Sequence, residues 1–281
     1  MTMMMTRVCA LLVAALALMP VAATAQQIRY GSNEDAAQRL KVDEVTLYYE
    51  VYGKGDPVLL LHGGLFGYLD EFAAYIDELS KRYKVIAPAM RGHGRSEVGN
   101  KPFSPQLQAN EALAILKKVT DKPAIVIGFS HGATTAYWLT ATSPPSVTKL
   151  VAIGNGLRTS PKVIEWAKGL TAASFTQANA GFVRARKQLM PHPEHWDKFL
   201  ERLLAYYASK NSIPGEMLKE INCPVLVIGG DRDFYNPVEM FAETAANLAN
   251  AQLLILPNCG HVDSLQRPVV LKEFILPFVE N

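Results

Sequence analysis

Apolar residues along this chain follow two rhythms. Short continuous runs, at 45–51, 58–61, 84–87, 124–127, 147–153, 224–228 and 252–256, are rich in Val, Ile, Leu and Tyr and end at Gly, Pro or polar clusters. Runs of this length with β-branched content predict strands. Between most of them lie stretches with helical spacing: 69–81, 105–119, 133–142, 238–248 and a last one from about 268. Ser104-Pro105 reads as a helix N-cap followed by proline at the first helical position. Strands that are continuously apolar rather than alternating predict a mostly parallel sheet covered by helices on both faces, an α/β fold. The alternation lapses over 157–214, which is helical, aromatic and without a strand signal. That block is expected to be a helical lid inserted between two strands. At the carboxyl end of a parallel sheet such a lid lies over the ligand crevice.

The N-terminus changes the picture. Arg7, an apolar run over 8–19 and the small residues Ala23-Thr24-Ala25 before Gln26 form an export signal. The run is shorter than the roughly 20 residues that span a bilayer. Residues 1–25 are therefore expected to be cleaved, giving a periplasmic or secreted protein without stable membrane insertion. The rest divides into a core at 26–156, the lid at 157–214 and a second core part at 215–281. Net charge is +2 without a strong basic or acidic block, which argues against a nucleic-acid partner. Cys223 and Cys259 remain after the signal. Lying before one predicted strand and after the next, they should sit at opposite ends of a parallel sheet, roughly 15–20 Å apart. A disulfide needs Cα atoms within about 7 Å, so two unpaired thiols are expected.

Chemistry enters at Gly128-Phe129-Ser130-His131-Gly132. A strand, a serine at a sharp turn and a helix make a nucleophile elbow. The motif alone arises by accident in about one chain in ten of this length. Its support lies downstream. A serine hydroxyl needs a base, and the base needs a carboxylate that fixes its tautomer. His261, in the loop after the last strand, is the base. The loop after the preceding strand reads Gly230-Asp231-Arg232-Asp233. Asp233, farther past the strand end, is the favoured orienting acid, and Asp231 is assigned to holding the turn. One strand earlier the sequence is Gly154-Asn155-Gly156, without a carboxylate. Backbone N–H donors for an oxyanion are expected at His131, after the nucleophile, and at Gly64 in His62-Gly63-Gly64.

These motifs in this order resemble the α/β-hydrolase superfamily over about residues 40–280, with Arg91-Gly92-His93-Gly94-Arg95-Ser96 as a further match. The chain is most similar to small-ester hydrolases and the valacyclovir-hydrolase-like group, whose lids have a similar His-Pro-Glu-His-Trp stretch, here 192–196. The resemblance implies an eight-stranded, mostly parallel sheet, a helical lid, a Ser130–Asp233–His261 triad and no metal or organic cofactor. Two positions depart from the pattern. Ala89 stands where the family usually has an aspartate before the Arg-Gly-His-Gly turn, and His131 is an uncommon residue after the nucleophile.

The function expected is hydrolysis of small-molecule carboxylic esters through an acyl-enzyme. Perhydrolysis or carbon–carbon bond hydrolysis on the same triad, and a non-catalytic binding role, are the alternatives. His192 and His195 are assigned to lid packing or surface rather than to a metal. Trp166, Phe175, Phe182, Trp196, Phe199, Tyr206 and Tyr207 are divided between lid core and pocket wall.

Overall fold

The computed structural model describes residues 29–281; the expected signal segment, residues 1–25, lies outside them. Eight strands form one sheet: β1 Ala37–Val42, β2 Val45–Tyr52, β3 Pro57–Leu61, β4 Lys84–Pro88, β5 Ala124–Phe129, β6 Val147–Ile153, β7 Val225–Gly230 and β8 Ala251–Leu256. Their spatial order is β1-β2-β4-β3-β5-β6-β7-β8. β1 and β2, and β2 and β4, pair antiparallel; every other pair is parallel. The strands β3, β5 and β7 carry no charged residue. All residues of β3, β5 and β7 are buried, as expected for strands covered on both faces.

The covering helices are α1 Ala73–Leu79, α2 Pro105–Val119 and α3 His131–Thr142, and later α9, given below with the cap helices. Ser104 caps α2 by accepting the Leu107 N–H at 3.1 Å, with Pro105 at the first helical position. This satisfies one of the orphan donors of the first turn. Two apolar layers flank the sheet. One joins Leu59, Val126, Ala133, Tyr137 and Val227, and the other joins Leu60, Ile76, Ile127, Ile228 and Ile275.

Three differences from the sequence reading have physical causes. Strand β1 was not expected, because its sequence AQRLKV is mostly polar and it lies at the sheet edge with a half-exposed burial pattern. The helix expected over 69–81 begins as a 3₁₀ turn at Leu69–Phe72 and ends as α1 at Leu79. The helix expected from about 268 starts as a π-helical turn at Val270–Ile275 and runs on into α11 Leu276–Glu280, and a short helix not expected, α10 Asp263–Gln266, precedes it. Pro268 cannot donate to the preceding turn, which separates the pieces.

Residues 157–214 contain no sheet strand and form the helices α4 Pro161–Lys168, α5 Ala172–Ala178, α6 Ala180–Lys187 and α7 Trp196–Tyr207. A single antiparallel bridge, Arg158 to Ser212, closes the two ends of this cap. The cap has its own apolar centre, including Phe175, Trp196, Phe199, Leu200 and Leu203. Beyond it come the short helix α8 Gly215–Leu218 and then α9 Val238–Ala246, between β7 and β8. Cys223 precedes β7 and Cys259 follows β8; both thiols are free.

Candidate active site

The chain order reverses around β3, which lies between β4 and β5. Loops after these parallel strands open on the crevice where ligands bind in such sheets. Ser130 follows β5 and precedes α3 with φ 52° and ψ −114°. Positive φ is costly for a residue with a Cβ, and such strain concentrates at functional sites. The flanking glycines follow from the same turn. A Cβ on Gly128 would overlap the backbone at Gly132, and one on Gly132 would overlap the Leu61 carbonyl of β3. Asn155 Nδ2 donates to the Ser130 carbonyl at 3.2 Å and to Thr134 Oγ1 at 2.7 Å, bracing the turn. Sequence reading treated Asn155 only as a missing carboxylate.

The three expected triad residues meet. His261 Nε2 lies 2.8 Å from Ser130 Oγ, and His261 Nδ1 lies 2.7 Å from Asp233 Oδ2. Asp233 has no exposed side-chain surface, and His261 is 12% exposed. The other Asp233 oxygen, Oδ1, accepts the backbone N–H groups of Tyr235 at 2.8 Å and Asn236 at 3.0 Å. A buried carboxyl group so bonded holds its imidazole in one orientation. The ring of His261 is packed between Phe129 and Tyr235, each with centroid 5.1 Å away. Asp231 takes the other part expected of it: its Oδ1 accepts the Cys259 N–H at 3.0 Å, and backbone bonds hold its carboxyl below the usual range.

Gly64 and His131 are adjacent: a Cβ on Gly64 would stand 3.2 Å from His131 Cβ and would overlap the Tyr207 hydroxyl. Neither the Gly64 nor the His131 N–H donates to a protein acceptor among the described residues. His131 also opens α3, where first-turn N–H groups are unpaired and the helix dipole favours negative charge. The loop carrying Gly64 is fixed from beneath. His62 Nε2 accepts the Met90 N–H at 2.9 Å, and the Gly63 N–H donates to the Glu71 carboxylate group. Without an aspartate at Ala89, the neighbouring turn is held by Ser96, whose hydroxyl donates to the Ala89 carbonyl at 2.7 Å and accepts the Tyr48 N–H at 2.8 Å. Buried Arg91 adds a bond from Nε to Glu111 at 2.8 Å.

These groups surround a cavity of about 560 Å³. Its floor holds Gly64, Ser130 and His261; its roof holds Trp166, Tyr206 and Tyr207 of the cap. The aromatic residues of the cap thus divide. Trp166, Tyr206 and Tyr207 face the cavity, while Phe175, Trp196 and Phe199 fill the cap centre. The His131 ring is 2% exposed and packs against Tyr206 and Tyr207, with centroids 4.8 and 5.5 Å away. Burial pushes its imidazole down to about 3, so it is neutral at physiological pH. His192 and His195 lie together with centroids 5.1 Å apart, and His192 is half-exposed beside Glu194. Among the described residues no group of three His, Cys, Asp or Glu is placed to hold a metal.

Two polar residues of the cavity wall escaped sequence reading. Glu71 lies in the stretch expected to be helical over 69–81, and its side chain turns inward to Gly63 and the cavity. Burial pushes its carboxyl up to about 8, against the lowering effect of the Gly63 N–H. Arg186, on α6 of the cap, also reaches the cavity. No local pattern marks either one, since both depend on how short helices are rotated in the fold.

Residues 58–273 match the alpha/beta hydrolase family, and the chain belongs to it. It is similar to the 2-hydroxy-6-oxononadienedioate/2-hydroxy-6-oxononatrienedioate hydrolase 2 of Pseudomonas putida, with 23% identity over 268 residues, 85% of this chain and 93% of that one. A shorter likeness, 36% over 96 residues, is to the uncharacterized hydrolase YraK of Bacillus subtilis; it spans only 34% of this chain and 35% of YraK. The fold matches that of a hydrolase from Pseudomonas aeruginosa PA01 at TM-score 0.72 and 23% identity, over 89% of this chain and all of the other. The protein is a hydrolase of the α/β-hydrolase fold.

Proposed function

We propose that this hydrolase is an exported serine esterase that cleaves carboxylic esters of small molecules. The observation that carries the reading is the unbroken chain Asp233–His261–Ser130, with contacts of 2.7 and 2.8 Å, beside two free N–H groups. Ser130 Oγ attacks the ester carbonyl while His261 Nε2 takes its proton. The tetrahedral oxyanion accepts hydrogen bonds from the Gly64 and His131 N–H groups. Collapse expels the alkoxide, which leaves as the alcohol after receiving the proton from His261. Water then attacks the acyl-serine by the same route, with His261 as base, and releases the acid. Asp233 stabilises the imidazolium at each stage without itself taking the proton. Its buried Oδ1, committed to two backbone donors, supports that role.

The test uses the purified protein with a panel of esters differing in acyl and alcohol size. Ser130→Ala should lower kcat by roughly 10⁴-fold or more. Activity of that variant within about tenfold of wild type would overturn the assignment, because removing a nucleophile costs far more than that. A fluorophosphonate should label wild type at Ser130; failure to label would favour a non-catalytic binding protein. The likeness to a Pseudomonas putida hydrolase named for an oxo-dienedioate supports a second reading, carbon–carbon bond cleavage on the same triad. Product analysis separates the two, since ester cleavage releases an alcohol and carbon–carbon cleavage does not.

Export is read from residues 1–25. N-terminal sequencing of protein recovered from the periplasm or medium should begin at Gln26, and a chain found only in the cytosol with Met1 intact would refute it.

A further inference from the structure

Arg186 is a largely buried cation with little counter-charge supplied by the protein. It projects from α6 into the cavity that contains Ser130, and its side chain is 16% exposed. Its guanidinium carbon lies 5.0 Å from the ring centre of Tyr68 and 5.2 Å from that of Phe182, so two aromatic faces fix its plane. Nη2 donates to the Phe66 carbonyl at 3.1 Å and stands 3.4 Å from Asp70 Oδ1. Asp70 is 56% exposed, where an ion pair contributes little. Neither Nε nor Nη1 has an acceptor among the described residues.

The other acid on this wall is Glu71. With its carboxyl pushed up to about 8, it is neutral at pH 7 and does not offset the guanidinium. One of its oxygens accepts the Gly63 N–H, and a protonated carboxyl in that position retains a hydrogen to donate. A guanidinium with free donors and a neutral carboxyl with a free hydrogen thus share a cavity with the nucleophile. Both are complementary to an acceptor that carries negative charge. Arg186 meets a carboxylate only at 3.4 Å, on the exposed Asp70; a buried charge so weakly paired is costly, and a bound anion would relieve that cost. The cap adds to this field: residues 157–214 hold nine Lys and Arg against four Asp and Glu.

We propose that Arg186 and Glu71 form a recognition site for a carboxylate on the substrate, so that the preferred esters are monoesters of dicarboxylic acids. The planar fork of Arg186 suits a carboxylate, and Glu71 donates to the same group. The proposal rests on Ser130 being the nucleophile of an esterase, and it names the class of ester.

The test compares monomethyl esters of dicarboxylic acids with methyl esters of monocarboxylic acids of equal chain length at pH 7. Wild type should favour the monoesters in kcat/KM by about tenfold or more, as one charge-assisted hydrogen bond can supply. Arg186→Gln should abolish the preference. Arg184→Gln, an exposed cation on the same helix, should leave it intact, which separates a local site from general cap charge. Equal use of the two ester series, or a preference that survives Arg186→Gln in a folded variant, overturns the proposal. Binding is read independently on Ser130→Ala: glutarate should raise its Tm, and Ser130→Ala/Arg186→Gln should show no shift. Ester turnover without a glutarate shift would overturn the carboxylate site alone. A glutarate shift without ester turnover would overturn the esterase reading alone.

Discussion

The two walls of the cavity are built on different principles. The wall supplied by the sheet carries Ser130, Asp233 and His261 on loops after β5, β7 and β8, and its polar atoms are committed to one another at 2.7 to 3.2 Å. The wall supplied by the cap and by the turn after β3 leaves polar atoms open: among the described residues the Nε and Nη1 of Arg186 have no protein acceptor. The first wall has one geometry, enforced by strand register and by a strained serine. The second is complementary to something the protein does not itself provide. The proposed function assigns reaction chemistry to the committed wall and substrate choice to the open one.

Changes to the two walls should therefore differ in kind. The largest effect is expected at the committed wall. Asp233→Asn keeps the shape but replaces an acceptor with an amide that can present a donor to Nδ1, favouring the wrong tautomer of His261. Loss of kcat should be on the order of 10³–10⁴ with KM little changed. Asp231→Asn, whose carboxyl holds the Cys259 turn and stands beside Arg232, should fall within about tenfold of wild type, since it takes no part in the proton path. Equal losses for the two would contradict the assignment of Asp233.

A smaller effect, on stability, is expected where the cap rests on the core. Phe199 is 1% exposed, packs on Trp196 within the cap, and meets His93 and Phe103 outside it, with centroids 4.9 and 6.1 Å away. Phe199→Ala should cost about 3–5 kcal/mol by denaturant unfolding, the usual range for a buried phenylalanine. A value near zero would mean that the cap is held by something other than this contact.

The same contrast governs what the sequence could show. Ser130, His261 and Asp233 were legible because each is tied to the end of an apolar strand, and strand ends are visible as breaks in the pattern. The sheet was legible for the same reason, apart from β1, whose edge position demands no apolar run. Glu71 and Arg186 were not legible. A polar residue on a short helix reads as solvent-facing, and only the packing of Leu69, Phe72 and the cap turns these two inward. His131 was visible as unusual, but its burial against Tyr206 and Tyr207 depends on a cap whose helix orientations no periodicity fixes.

The smallest effect expected is the most discriminating for the open wall, because it asks whether Glu71 keeps its proton. An unfolded glutamate ionises near 4.5, whereas in the fold this carboxyl is held up to about 8 by burial. Between those values the native state binds the extra proton, so stability falls as pH rises. The contribution is fully present below about 4.5 and lost as pH passes about 8. Glu71→Gln preserves the acceptor for the Gly63 N–H and cannot ionise. Its Tm should therefore exceed that of wild type at pH 9 by a few degrees, about 3 °C for each kcal/mol. The difference should shrink to nothing near pH 4.5. Asp70, Arg186 and Tyr207 also face this carboxyl and are common to both proteins, as are the buried histidines His62, His93 and His131, so their titrations largely cancel in the difference. A Tm difference that is flat with pH would mean that Glu71 is ionised in the fold. Arg186 would then have a second counter-charge besides Asp70, and the open wall would lose its claim on an anionic substrate.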